Sequence, residues 1–163
     1  MTTNELFTLS IAAYAAIIST FVLGWDAYKW LDSGPKIRLS ASTDMIIVGG
    51  NLPNPKTYIS VTAVNLGDRA TTLTNLGFLY YDSWFKSFRQ NKADKAFIIG
   101  SPSQSQVIPY RFEAGAQWIG LADQDDDFIK LIGEGYLFVI LYHSHSGKGA
   151  RYRLTAKHLA KHR

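Results

Sequence analysis

Residues 142–153 read YHSHSGKGARYR, and two histidines one residue apart have a spacing that can grip a metal ion. On a β-strand, alternation places His143 and His145 on the same face, at i and i+2. Such a site needs a third ligand from elsewhere in the chain, and finding one would point to a metal-dependent enzyme. The simpler reading is a strand end, with GYLFVILYH running into SGKG as a turn and ARYRL returning. Ser144 and Ser146 lack the glycine framing and strand-to-helix spacing of a nucleophile elbow. The strand end is the stronger reading, so no catalytic residue is assigned and the protein is expected not to be an enzyme.

A second stretch, DQDDDFIKLIGE, sets Asp123, Asp125, Asp127 and Glu134 at positions 1, 3, 5 and 12 of a helix-loop-helix calcium loop. The template fails where its geometry is strictest. Position 6 requires glycine and holds Phe128, and position 9 holds Leu131. If calcium binds, Asp123, Asp125 and Asp127 are the ligands. An acidic loop entering a short apolar helical turn is the reading preferred here, and no cofactor is expected.

The third candidate is electrostatic. Lys148, Arg151, Arg153, Lys157, Lys161 and Arg163 concentrate six cations in the last sixteen residues, without one acid. A basic tail of this kind suits anionic lipid headgroups, where each cation contributes on the order of 1 kcal/mol. An acidic protein or nucleic acid would satisfy the same charges, together with Lys86, Arg89, Lys92 and Lys95. Nucleic acid is the weakest of these partners, because no ribonucleoprotein-type motif accompanies the aromatics of FLYYDSWFKSFR, residues 78–89. That stretch holds more aromatic side chains than one strand can bury, so some are expected at an interface.

The elements that must carry these residues follow from composition and pattern. With 163 residues, 47% hydrophobic and 18% charged, the chain suits one globular domain plus an attachment. The absence of cysteine excludes disulfide scaffolds, thiol catalysis and thiolate metal sites. The net charge of +4 is modest for a nucleic-acid binder.

From Leu6 to Trp25 no residue is charged over 20 positions, which at about 1.5 Å per residue spans the roughly 30 Å of a bilayer core. A transmembrane helix is predicted within residues 1–33. It is uncleaved, because MTTNE lacks the basic start of a signal peptide. Trp25, Tyr28, Lys29 and Trp30 are spaced like an interfacial belt. Thr8, Ala12, Ala15, Ala16 and Ser19 form a small-residue stripe suited to close helix packing. Lys29, Lys36 and Arg38 follow the span while no Lys or Arg precedes it, which predicts a cytoplasmic domain, with a periplasmic one as the alternative.

Gly34-Pro35 ends the helix, and residues 34–155 change to strand texture. KIRLSAS alternates, TDMIIV follows, and TYISVTAVNLGDRATTLT reads as a hairpin turning at Gly67-Asp68. AFIIG, QVIPYRF, AQWIGL and GYLFVILYH continue the theme, with Pro109 marking an edge or bulged strand. The last of them is apolar on both faces, as an interior strand is. No long helical period appears between Pro35 and Ala150, so the expected fold is mainly β, an antiparallel immunoglobulin-like β-sandwich behind one transmembrane helix, with residues 156–163 as a basic tail.

The order of one N-terminal span, KIRLSAS, YISVTAVNLGDRATTLTNLGF and GYLFVILYHSHSGKGARYRL resembles small uncharacterised bacterial single-pass membrane proteins with an immunoglobulin-like domain. The resemblance implies architecture and an inner-membrane location, and it brings no functional residues. The expected role is a non-enzymatic accessory subunit that packs against other membrane-protein subunits and lipid. A membrane-tethered module for an acidic ligand is the alternative.

Overall fold

A computed structural model describes residues 2–48, 56–89 and 92–155. In chain order the elements are α1 (Thr3–Asp32), β1 (Ile37–Ile46), β2 (Thr57–Asn65), β3 (Thr71–Tyr81), α2 (Trp84–Arg89), β4 (Lys95–Ile99), β5 (Tyr110–Phe112), β6 (Gln117–Asp123), α3 (Asp126–Glu134), β7 (Tyr136–His143) and β8 (Ser146–Leu154). The chain divides into two compact units, Met1–Gly34 and Pro35–Arg163.

The first unit is α1 alone. Thr2 caps it by accepting from the Glu5 amide while Glu5 accepts from the Thr2 amide, a reciprocal box that satisfies two otherwise orphaned donors. Thr8, Ser10 and Thr20 return their hydroxyls to the helix's own carbonyls at 2.8–2.9 Å, so these polar groups do not oppose burial in an apolar medium. The helix ends where the Ser33 amide reaches the Lys29 carbonyl, just before Gly34-Pro35 removes the conformation and the donor needed to continue. It is long and apolar enough to cross a membrane, and none of its residues is buried within the chain.

The second unit is mainly β, with two antiparallel sheets around one core. The first sheet runs β1-β2-β6 and the second β4-β3-β7-β8, with β5 also paired to β3. Inward residues alternate as period-2 patterning requires: Leu39 and Ala41 on β1, Ile59, Val61 and Ala63 on β2, Trp118 and Ala122 on β6. They meet Leu73, Leu76 and Phe78 of β3, and Leu137, Val139 and Leu141 of β7. Trp118 is wholly buried and donates its indole N–H to the Gln106 carbonyl at 2.9 Å. Its ring lies across Gly120, where a Cβ would stand 2.3 Å from it, so only glycine admits the indole.

The expected hairpin between β2 and β3 does not form. β2 pairs with β1 and β6, whereas β3 pairs with β4, β5 and β7 in the other sheet. The connection carries the chain from one sheet to the other, and buried Asn65 organises the crossing. Its Nδ2 lies 2.8 Å from the Arg69 carbonyl, 3.3 Å from that of Phe112 and 3.2 Å from that of Glu113, and its Oδ1 accepts from Gly67 at 3.1 Å. Its backbone amide donates to Ala116 and its carbonyl accepts from Gly115. One residue at the end of β2 therefore ties the turn into β3 to the turn that joins β5 and β6.

Other departures have local causes. KIRLSAS and most of TDMIIV form one strand, bent by a bulge between Ser42 and Met45 where Asp44 takes a φ of +57°. Gln124 holds that bulge, accepting from the Asp44 amide at 2.8 Å and donating to its carboxylate at 2.7 Å. Within QVIPYRF only Tyr110–Phe112 is a strand, preceded by a cis Ile108-Pro109 bond. Gln106 instead covers the edge of β6, accepting from Ile119 N and donating to the Gln117 carbonyl, which blunts an edge open to pairing. Short helices α2 and α3 interrupt the strand texture. β7 is an interior strand, between β3 and β8.

Replacing Asn65 with alanine removes every side-chain bond at the crossing and leaves buried carbonyls unpaired. The expected loss is about 3 kcal/mol of unfolding free energy. Urea unfolding of the solubilised chain, followed by β-sheet circular dichroism, measures it; a change below about 1 kcal/mol would contradict the role given to this residue.

Candidate functional site

The histidine pair is not assembled as a metal grip. β7 ends at His143, residues Ser144 and His145 form the turn, and β8 already begins at Ser146. SGKG is therefore strand rather than turn, and it bulges through Gly149 at a φ of +64°. His143 is half-buried opposite Leu73, and its Nδ1 is buried with no hydrogen-bond partner. Burial first, and the nearby His145 second, hold the His143 pKa below its ordinary value.

The acidic residues are separated by secondary structure. Asp123 closes β6 and lies 3.9 Å from Lys56, Asp125 is the N-cap of α3, and Asp127 lies in its first turn. Phe128, at the position where a calcium loop needs glycine, packs on Phe78 at 5.0 Å and Phe97 at 5.3 Å between ring centroids. It is a core anchor for α3, beside buried Leu131 and Ile132. Among the described residues no group of three His, Asp or Glu side chains could hold a metal ion.

On α1 the small-residue stripe of Thr8, Ala12, Ala15, Ala16 and Ser19 is exposed along its length. Trp25 and Tyr28 lie with ring centroids 6.1 Å apart, and the Lys29 ammonium sits 5.7 Å from the Trp25 ring. Trp25, Tyr28 and Trp30 are all more than half exposed.

The cations divide into three sets. Lys157, Lys161 and Arg163 lie outside the described residues. Lys86 is already neutralised, at 2.9 Å from both Asp82 and Asp94. Hydrogen bonds to those two carboxylates raise its pKa, and the Asp82 amide followed by Lys86 lowers that of Asp94. Arg89 stacks on Phe85 at 4.7 Å, and Lys95 sits 5.9 Å from the Tyr80 ring. Lys148, Arg151 and Arg153 belong to β8 rather than to a tail.

The last two build the most developed surface on the domain. Register places Arg151 opposite Ile140 and Arg153 opposite Phe138, with Gly77 and Leu79 next in line on β3. This is the outer face of the second sheet, yet Tyr81 and Ile140 are buried there, apart from the core. The Arg151 guanidinium lies 4.6 Å from the Phe138 ring and 5.5 Å from Tyr81, and Nη2 donates to the Tyr81 hydroxyl at 3.3 Å. Arg153 lies 4.4 Å from the Tyr136 ring. Across from them α2 presents Trp84 and Phe88, stacked at 5.5 Å and 19°. Trp84, Ser87, Phe88, Tyr136, Phe138, Arg151 and Arg153 together line a groove of about 460 Å³. Neither arginine has a carboxylate partner among the described residues, and the Arg151 Nε has no acceptor.

Reading the arginines as tail missed this groove. The available signal was the two-sided apolarity of GYLFVILYH, whose outer residues Tyr136 and Phe138 form its floor. No family model, curated protein or solved structure matches the chain.

The depressed pKa of His143 gives a pH dependence of defined sign. Folding favours the neutral imidazole, so below about pH 6.5 the unfolded chain binds the proton more readily. Stability is therefore unaffected above that value, falls as the pH drops through it, and levels off below the folded pKa. Thermal unfolding of wild type and His143→Leu between about pH 7.5 and 5 checks this: the variant loses part of the acid slope, and identical slopes would contradict it.

Proposed function

We propose that the protein is a non-enzymatic, single-pass membrane protein, an accessory or structural subunit whose helix and β-domain pack against other subunits of a membrane assembly. The observation that carries the reading is apolar surface left over after folding. Both sheets close their shared core completely, while Trp84, Phe85 and Phe88 remain 53–70% exposed on α2. Aromatics displayed together in this way are a common feature of interfaces.

Helix α1 supports the same reading. A span that serves only as an anchor needs hydrophobicity, whereas Thr8, Ala12, Ala15, Ala16 and Ser19 leave a smooth stripe where a second helix backbone can approach. Trp25, Tyr28 and Trp30 suit the headgroup level at its end. The location proposed is a bacterial inner membrane with the domain on the cytoplasmic side, on the strength of Lys29, Lys36 and Arg38. The strand orders β1-β2-β6 and β4-β3-β7-β8 support an immunoglobulin-like description, in which the three-stranded sheet takes the place of strands A, B and E and the other that of C′, C, F and G.

The helix contribution is tested by Ala12→Leu and Ala15→Leu in the full chain, extracted from its native membrane in mild detergent and separated by size. Wild type is expected in a defined complex with stoichiometric partners. Each leucine should weaken the association by about 1–2 kcal/mol, roughly tenfold. A wild-type chain migrating alone would overturn the subunit reading, and full tolerance of both leucines would remove the stripe from it.

A further inference from the structure

We infer that the groove between α2 and β8 is the docking site on the β-domain for an acidic peptide segment of a partner protein, one that sets a carboxylate beside an apolar side chain. The inference rests on the subunit reading above and names the surface and the chemistry of the contact.

The two walls of the groove make different demands. On one side Arg151 and Arg153 carry two guanidinium charges with no carboxylate partner among the described residues, over a floor of Tyr136 and Phe138. On the other, Trp84 and Phe88 stack as an exposed hydrocarbon shelf. Guanidinium groups are planar, weakly hydrated and forked, so they match a carboxylate with paired hydrogen bonds. Their stacking on the rings limits their freedom before any ligand arrives, which lowers the entropy lost on binding. A carboxylate alone would leave the shelf wet, and an apolar ligand alone would desolvate two uncompensated charges. A segment offering both groups satisfies both walls.

The charge pattern also separates the competitors. Nucleic acid binding draws its affinity from several phosphate contacts, and this groove supplies two arginines with Asp82 and Asp94 flanking α2. The phosphate of a lipid headgroup is the other anion that two arginines can hold, and the cross-link below distinguishes it from a carboxylate.

A photo-reactive phenylalanine analogue at Phe88, in the full chain within its native membrane, reports the occupant directly. On irradiation it should capture a polypeptide segment bearing Asp or Glu next to an apolar residue. Arg153 is exposed, so Arg153→Glu should leave the melting temperature unchanged while lowering the cross-link yield about tenfold. Lys148→Glu, an equal charge reversal at the other end of β8, should leave the yield unchanged. Capture of lipid, of nucleic acid or of a segment without a carboxylate would overturn the inference, as would a yield indifferent to Arg153→Glu. If partners still comigrate with the chain in detergent, those results reject the groove alone; a chain that migrates alone rejects the groove and the subunit reading together.

Discussion

The Asn65 amide, fully buried where β2 ends, can be satisfied only if the chain turns away from its own sheet. Carbonyls of Arg69, Phe112 and Glu113 surround its nitrogen, and the Gly67 amide supplies its oxygen. A buried amide without partners costs several kcal/mol, so alternative paths for this connection are strongly penalised. The backbone of the same residue bonds Ala116 and Gly115, which fixes where β6 begins beside β2. Sheet membership on both sides of the core is thus coupled at one position.

Separating β2 from β3 gives the domain two unlike outer faces. Over β1 and β2 the outward residues are largely small and polar, with Ser40, Ser42, Ser60 and Thr62. Over β3, β7 and β8 they are Leu79, Tyr81, Phe138, Ile140 and the two arginines. The Lys86 ion pairs with Asp82 and Asp94 hold α2 beside the end of β3, and this keeps Trp84 and Phe88 opposite the arginines. These exposed pairs add little stability, and their value is positional. The groove thus follows from topology first and side-chain chemistry second.

Much of this architecture was legible in the sequence. The uncharged run before Trp25 gave the long helix, alternation at Ile59, Val61 and Ala63 gave β2, and the continuous run after Gly135 gave an interior strand. The sequence suits a β2–β3 hairpin that does not form, because Asn65, Gly67 and Asp68 are turn residues in either topology; periodicity tells which face is buried and not which strand lies alongside. The calcium template matched acidic spacing, but Phe128 belongs to the core, a demand visible only once α3 packs on Phe78 and Phe97. SGKG looks like a turn and ARYRL like the returning strand, yet charge alone groups Arg151 and Arg153 with the tail, because a run of cations does not show which sheet face they occupy. In the fold Gly149 is a bulge within β8, and the strand continues to Leu154.

Amide hydrogen exchange on the folded chain tests the coupling at Asn65 most directly. The amides of Asn65, Gly67 and Gly115 are expected to exchange only through global opening, as slowly as those of Val61 and Leu141 in the core strands. Exchange at these three positions at the rate of surface turns, while the core strands stay protected, would show that the sheets hold together without this residue and would contradict that coupling.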